Sequence, residues 1–310
     1  MKISVIIPLY NKASYIRRTL ESIFAQTVPV FEIIVIDDGS TDNGVEIVES
    51  GYVNDVKLLR HDSNQGVSTA RNTGIKAASG DFIAFLDADD YWQPQHVSVL
   101  YQLRQKYPQA NVLCAGYEFY DGLSHRAFRN MHLPKDRGVI DDYFKACCHA
   151  DLPITASSVC VAKTSLDAIG LFPVDIALGE DQIVWAKLAC SETVAFDASL
   201  TVVYDLSASR GKEFLKDKTL PSPHTQILTT MLESGAVPDG LHRSLEYLLH
   251  LTILNCVKRN LQTGNKKYAF ELLRKHELLC WDKYRVLAFV CLMLPTALLN
   301  KVFSYARNFR

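Results

Sequence analysis

Three polar clusters interrupt an otherwise apolar N-terminal half: Pro8-Leu9-Tyr10-Asn11, Asp37-Asp38-Gly39-Ser40 and Asp87-Ala88-Asp89-Asp90. Each follows a short apolar run, as a loop follows a buried strand. In an open parallel sheet, ligands bind outside the carboxyl ends of the strands. The pattern therefore directs five carboxylates and one aromatic ring toward one crevice. That much like charge is unfavourable when unpaired, because neighbouring carboxylates raise each other's pKa. A hard divalent cation such as Mg²⁺ or Mn²⁺ resolves the conflict. Such ions use few carboxylates and complete their shells with diphosphate oxygens and water. Taken singly, the clusters have plainer readings. Asp-Gly-Ser is turn chemistry, and Asp87 and Asp89 could be solvated acids ahead of a helix. Their recurrence at successive strand ends favours a site.

The elements that must position these residues are legible in the hydrophobic period. Ile3–Ile7 is a continuous apolar run, the pattern of a strand buried on both faces. Ile16, Leu20, Ile23 and Phe24 recur at helical spacing, so a helix is expected over Ser14–Gln26. Ile33–Ile36 reads as a second strand, followed by a helix through Val45 and Val48 with Ser40 or Thr41 as its N-cap. Val56–Leu59 is a weaker strand. A helix is expected over Val67–Ala78, with Gly80 in a C-terminal capping role. Phe82–Leu86 is a further buried strand, after which Pro94 should open a helix through Val97, Leu100 and Leu103. Such alternation implies an α/β architecture: an open, mainly parallel sheet with helices on both faces. Beyond Val112 the alternation loosens, with strands at Val112–Tyr117 and Ser158–Val161 and a helix over Asp181–Cys190. Past residue 215 only helical spacing remains, over Leu245–Leu261 and Tyr268–Leu279. Two domains are expected, 1–215 and a helical C-terminal extension, 216–310.

Four motifs, in order, resemble family 2 glycosyltransferases: Val5-Ile6-Ile7-Pro8-Leu9-Tyr10-Asn11, Val35-Ile36-Asp37-Asp38-Gly39-Ser40-Thr41-Asp42, Asn64-Gln65-Gly66-Val67-Ser68-Thr69-Ala70-Arg71-Asn72-Thr73-Gly74 and Phe85-Leu86-Asp87-Ala88-Asp89-Asp90. The resemblance spans roughly residues 1–205. It implies the GT-A fold, a nucleoside-diphosphate sugar donor (UDP favoured) and inversion at the anomeric carbon. It also implies roles. Pro8, Tyr10 and Asp38 would hold the base, with Tyr10 stacking on it and Asp37 alongside. Arg71 would reach the nucleotide, Asp87 the ribose or the metal's water shell, and Asp89 would ligate Mn²⁺ or Mg²⁺. Gly179-Glu180-Asp181 is similar to the family's Glu-Asp motif, making Asp181 the base and Glu180 its orienting or acceptor-contacting neighbour. The alternative for that pair is two acids placed where a helix dipole favours them. Many relatives carry Tyr-Arg-x-His after the late strand. Here Tyr204-Asp205-Leu206-Ser207 lacks the His, leaving His224, Arg210 or Lys212 as substitutes.

Other function classes fit less well. A net charge of −1 gives no general attraction to nucleic acid. No G-x-G-x-x-G follows the first strand, which argues against a dinucleotide site. A nucleotidyltransferase would want a Gly-rich basic loop there, and a glycosidase's paired carboxylates would not explain the nucleotide-side motifs. A non-catalytic nucleotide-sugar binder is the alternative, though it would need no Asp181. The acceptor is expected to be a glycan or a lipid-linked sugar in cell-surface polysaccharide or glycolipid synthesis.

The eight cysteines form no C-x-x-C pair and read as buried thiols. Those unpaired thiols and the early Pro8, Asn11 and Lys12 point to a cytoplasmic protein without a secretory signal. Val286–Leu299 is nearly all apolar but short for a membrane span. Its basic flanks, Lys283, Arg285, Lys301, Arg307 and Arg310, suit either contact of 283–310 with a membrane surface or packing on the catalytic domain or a homodimer partner.

Overall fold

The computed structural model describes residues 1–148, 151–176, 178–209, 220–275, 283–295 and 298–299. In chain order the elements are β1 (Ile3–Leu9), α1 (Ala13–Phe24), β2 (Glu32–Asp37), α2 (Gly44–Tyr52), β3 (Lys57–Arg60), α3 (Val67–Ala77), β4 (Phe82–Phe85), β5 (Tyr91–Trp92), α4 (His96–Lys106), β6 (Val112–Tyr120), β7 (His125–Ala127) and β8 (Arg137–Val139). They continue with α5 (Tyr143–Cys148), β9 (Val159–Ala162), α6 (Lys163–Ala168), α7 (Glu180–Ser191), β10 (Val194–Asp205), α8 (Pro223–Glu233), α9 (Asp239–Gln262), α10 (Lys266–Lys275) and α11 (Lys283–Leu292). The chain divides into two compact units, Met1–Lys212 and Glu213–Arg310.

The first unit is an α/β fold on a mixed sheet in the order β3-β2-β1-β4-β9-β6-β10-β5, with β7 beside β6 and β8 beside β10. Strands β3, β2, β1 and β4 are all parallel. This is the half whose strand–helix alternation is clean in the sequence. Strand β9 then enters antiparallel to both β4 and β6, while β10 runs parallel to β6.

Strand alternation sorts the core. Ile3, Val5, Ile7 and Leu9 share one buried cluster with Ile16 and Leu20 of α1, Val48 of α2 and Leu100 of α4. The opposite face carries α3, where a Cβ on Gly74 would lie 2.6 Å from Ile6 Cγ2 and 2.8 Å from Ile36 Cδ1. Only glycine permits that approach of helix to sheet. Pro8 is tolerated in a central strand because β4 pairs only with Ile3–Ile6, so Pro8 lies beyond that ladder.

Three local expectations differ from the structure. The N-cap of α2 is Asn43, not Ser40 or Thr41, because those two residues bind the loop after β1 instead. Helix α3 ends with Ala78 extended. Gly80 is not its cap. Its N–H donates to Ser4 Oγ at 2.9 Å, and a Cβ there would sit 2.5 Å from that oxygen. Pro94 lies in the turn before α4, whose N-cap is Gln95.

The second unit is helical over its described residues. Ile253, Val257 and Leu261 of α9 pack with Ala269, Leu272 and Leu273 of α10 and Cys291 of α11. Lys266 Nζ donates to the carbonyls of Leu292 and Leu294, at 3.0 and 2.6 Å, and so caps the end of α11. Arg285, expected as a basic flank, is buried and donates to Leu273 O at 2.8 Å. No helix of the described residues is long and apolar enough to cross a membrane. Expectations at Tyr268–Leu279 beyond Lys275, and at Lys301, Arg307 and Arg310, fall outside the described residues.

Candidate functional site

The carboxyl ends of β1 and β2 are joined by backbone, with Asp38 N–H donating to Leu9 O at 2.8 Å. Asp38 is buried, and its carboxylate accepts from the N–H groups of Gln65 (3.0 Å) and Gly66 (2.8 Å). It also meets His61 Nδ1 at 2.7 Å, while His61 Nε2 lies 2.9 Å from Thr73 Oγ1. Asp38 thus ties the β2 loop to the start of α3. Asp37 is buried as well and accepts from Ser40 N–H at 3.1 Å through Oδ1. Tyr10, in the loop after β1, is 42% exposed. Pro8 is half-buried.

The second cluster follows β4. Asp87 Oδ1 accepts from Arg71 Nη2 at 2.8 Å, and Arg71 Nη1 donates to Glu180 Oε1 at 2.9 Å. Burial alone would lower the Arg71 pKa, but the carboxylates of Asp87, Glu180 and Asp181 outweigh it and raise it. Arg71 also lies over the Phe172 ring, 5.2 Å from its centroid. Phe172 packs on Phe85 and Trp185 at 5.2 and 5.8 Å. Asn72 fixes Phe172 by two backbone bonds, to its O at 2.8 Å and from its N at 2.9 Å. The resemblance assigned Arg71 to the nucleotide. The structure places it between the two acidic motifs, with both terminal nitrogens engaged.

Glu180 and Asp181 open α7, whose N-cap, Gly179, adopts a left-handed φ of 81°. Burial, then repulsion from Glu180, pushes the Asp181 carboxyl up to about 6, despite opposing effects from Arg71 and from the bond to Gln182 N–H. A carboxyl poised there can take a proton near neutral pH.

Asp89 pairs with Lys12 Nζ, the ammonium reaching Asp89 Oδ2 from the loop after β1. Burial and the nearby Asp87 charge raise the Asp89 pKa; Lys12 opposes them. Asp90 is buried and bonded by Ser157 Oγ (2.5 Å) and by Asp205 N–H (2.9 Å). Burial, Asp87 and Asp89 lift its pKa well above the usual carboxylate range. Asp205, in the place of the family's late-strand arginine, receives Arg18 Nη2 at 2.8 Å. Arg18 also donates to Asp89 O at 2.6 Å. His61, Lys12, Arg18, Asn72, Ser157 and Phe172 were not foreseen. Only Lys12 and Asn72 carried a signal, lying within or beside the motifs.

No trio of His, Cys, Asp or Glu among the described residues could hold a metal ion unaided. The donor set fits an ion that takes one carboxylate and completes its shell from phosphate and water. Six acids (Asp87, Asp89, Asp90, Glu180, Asp181, Asp205) gather around three cations (Lys12, Arg18, Arg71). A divalent ion would offset part of the remaining negative charge. Of the proposed late substitutes, His224 belongs to the helical unit, where Ser222 Oγ lies 2.7 Å from Nδ1. Arg210 and Lys212 fall outside the described residues. The thiols of Cys114, Cys147, Cys148, Cys160, Cys190 and Cys256 are all raised in pKa by burial, which disfavours the nucleophilic thiolate.

Residues 4–151 match the family model described as glycosyl transferase family 2. An uncharacterized glycosyltransferase of Rickettsia felis is 30% identical over 62% of this chain and 31% of its own length. The uncharacterized glycosyltransferase YibD of Escherichia coli K12 is 52% identical over 30% of this chain and 27% of its own length. The chain thus spans less than a third of each of these relatives. Among solved structures, S. aureus TarS 1-349 in complex with UDP is similar over 94% of this chain and 87% of that one, with a TM-score of 0.66 and 20% identity. A mannosyltransferase from Pyrobaculum calidifontis in complex with GDP-Man and Mn²⁺ covers 94% and 85%, with a TM-score of 0.58 and 19% identity. At these identities the solved structures establish the GT-A fold.

Proposed function

Because residues 4–151 place the chain in glycosyl transferase family 2, we propose that it is an inverting glycosyltransferase using a nucleoside-diphosphate sugar. The observation that carries this reading is the Arg71 bridge. It joins Asp87 of the strand-end cluster to Glu180 of the α7 motif at 2.8 and 2.9 Å, placing a carboxyl with a pKa of about 6 beside the acids that would face a diphosphate.

In this reading Tyr10 stacks on the base. Asp37, with an oxygen not engaged by Ser40, serves the base better than Asp38, which is held by Gln65, Gly66 and His61. Asp87 lies beside the ribose. Asp89 would hold Mn²⁺ or Mg²⁺, and that ion, when bound, would supply stabilisation of charge on the departing diphosphate. Asp181 accepts the proton of the acceptor hydroxyl, whose oxygen bonds to the anomeric carbon. The bond to the leaving phosphate breaks, its electron pair staying on that oxygen. Arg71 holds Glu180, and through it the start of α7, in register with the Asp87 loop. UDP is favoured because a structural neighbour binds UDP and UDP-GlcNAc. The acceptor is a glycan or lipid-linked sugar.

Residues 1–212 form the catalytic domain and the remainder a docking unit on an anionic membrane at the cytoplasmic face. Fourteen Lys and Arg against eight Asp and Glu give Glu213–Arg310 a charge of +6, whereas Met1–Lys212 carries −7, from nineteen against twenty-six. Val286, Leu287 and Val290 are exposed on α11, and Met293 just beyond its end. Exposed Lys267, Phe270 and Arg274 on α10 accompany them. Flotation with phosphatidylglycerol vesicles but not phosphatidylcholine vesicles is the expected result, and equal behaviour with both would remove this part.

The central test is donor binding and hydrolysis across UDP-, GDP- and dTDP-sugars with Mn²⁺ or Mg²⁺. One donor should bind only with metal, Asp89→Ala should abolish that binding, and Asp181→Asn should bind without turning over. Absence of any nucleotide-sugar binding would overturn the function. Full activity in Asp181→Asn would overturn the base.

A further inference from the structure

We infer that Lys12 is the resident counter-ion of Asp89: a divalent cation displaces it, and its ammonium then binds the donor's diphosphate. This rests on the glycosyltransferase reading above and goes further by assigning the positive charge that the late strand lacks.

The local backbone fixes where Lys12 starts. Asn11 turns at the end of β1 with φ +51°. Its N–H donates to Ser40 Oγ at 3.1 Å, and its Oδ1 accepts from Thr41 N–H at 2.8 Å. On the other side, Lys12 O accepts from the N–H groups of Tyr15 and Ile16 at 2.9 and 3.0 Å. The side chain then crosses to the loop after β4 and meets Asp89, both groups being largely buried.

This is an unfavourable place for a lysine unless an anion is to be met. Lys12 is the N-cap of α1, and the first turn of that helix has no acidic residue. The helix dipole there disfavours a cation and favours an anion. Asp89 supplies one negative charge at this point. A diphosphate would supply more.

Arg18 cannot take the same role without breaking its fold contacts. It bridges Asp89 O and Asp205 at 2.6 and 2.8 Å and lies over Tyr91 at 4.5 Å. Lys12 is a compact ammonium on a flexible stem, with three donors that can change partner. The positions where relatives carry Arg and His hold Asp205 and Ser207, and these bond one another, Ser207 N–H donating to Asp205 Oδ1 at 2.8 Å. The late strand therefore presents no cation here, and the N-cap of α1 does.

The test compares the full chain with Lys12→Met and Lys12→Arg, reading Mn²⁺ binding alone by electron paramagnetic resonance and UDP or GDP binding in saturating Mn²⁺ by calorimetry. Lys12→Met should bind Mn²⁺ alone roughly tenfold more tightly, since a competing charge is gone, while its nucleotide affinity falls roughly tenfold. Lys12→Arg should keep metal affinity within about threefold of wild type. Lys12→Gln serves if the Met variant does not fold. Metal affinity that is unchanged or weaker in Lys12→Met (or in Lys12→Gln where that replaces it), or unaltered nucleotide binding in the same variant, overturns the inference. Asp89→Asn keeps the two readings apart. If wild type binds metal and nucleotide through Asp89 while Lys12→Met behaves like wild type, only the role of Lys12 falls. If wild type binds no nucleotide, the glycosyltransferase reading falls and takes the role of Lys12 with it.

Discussion

Replacing Asp181 with Asn should stabilise the folded protein at neutral pH while abolishing turnover. Burial and Glu180 lift the Asp181 carboxyl from 3.8 to about 6, and a pKa raised in the folded state is a cost that grows with pH. Below about pH 4 the group is protonated in both folded and unfolded chains and costs nothing. Between about pH 4 and 6 the unfolded chain releases the proton first, so stability falls as pH rises, and above about 6 the whole cost is present. The full shift corresponds to about 3 kcal/mol. Asp181 is only half-buried, so water screens part of this and a gain of about 1–2 kcal/mol is expected for Asp181→Asn. Urea unfolding at intervals from pH 4 to 8 measures it. The variant should match wild type at pH 4 and exceed it above pH 7. A gain independent of pH, or a loss at neutral pH, would refute the claim that burial and Glu180 set this carboxyl.

Turnover should rise with pH through about 6 and level off above 7, because the base must be ionised to accept the acceptor's proton; a pH–rate profile on the preferred donor tests this. Arg71→Met leaves Asp87 and Glu180 without their shared cation and should cost about 3 kcal/mol, toward the low end for a broken buried pair because Asp87 is partly solvated. Chemical denaturation reads it, and Arg71→Lys should recover only part, since one ammonium cannot hold both carboxylates as the fork does. Asp38→Ala should cost about 2 kcal/mol by the same measurement, because two backbone N–H groups and His61 lose their acceptor. Gly74→Ala should destabilise by about 1–3 kcal/mol, Ile6 and Ile36 having no room for a methyl group.

The strands and helices of the nucleotide-side half were legible because their residues repeat at the spacing of the element they form. Ile3, Val5, Ile7 and Leu9 alternate with Ile6 on a two-sided strand, and Ile16, Leu20 and Ile23 recur on one helix face. The acidic clusters were legible as a set at strand ends. What the sequence could not show is which partner each acid takes. Asp38 meets Gln65 and Gly66, Arg71 reaches Glu180 across 109 positions, and Asp205 meets Arg18 across 187. No local period encodes such pairings; they arise only when the sheet brings distant loops to one edge. The Gly80 expectation failed for a related reason: a glycine near a helix end suggests a cap, whereas here it marks the approach of backbone to Ser4.

Strand β9 lies between β4 and β6 although it is formed by residues 159–162. During synthesis, the parallel strands β3, β2, β1 and β4 are therefore complete long before the strand that covers the free edge of β4. Until residue 162 is available, that edge presents unpaired backbone groups able to recruit another chain, and closing it must await a contact distant in sequence. A fragment ending at residue 151, where the family match stops, would keep that edge open permanently. Such a fragment should self-associate, whereas one extending through β10 has the strands that shield it.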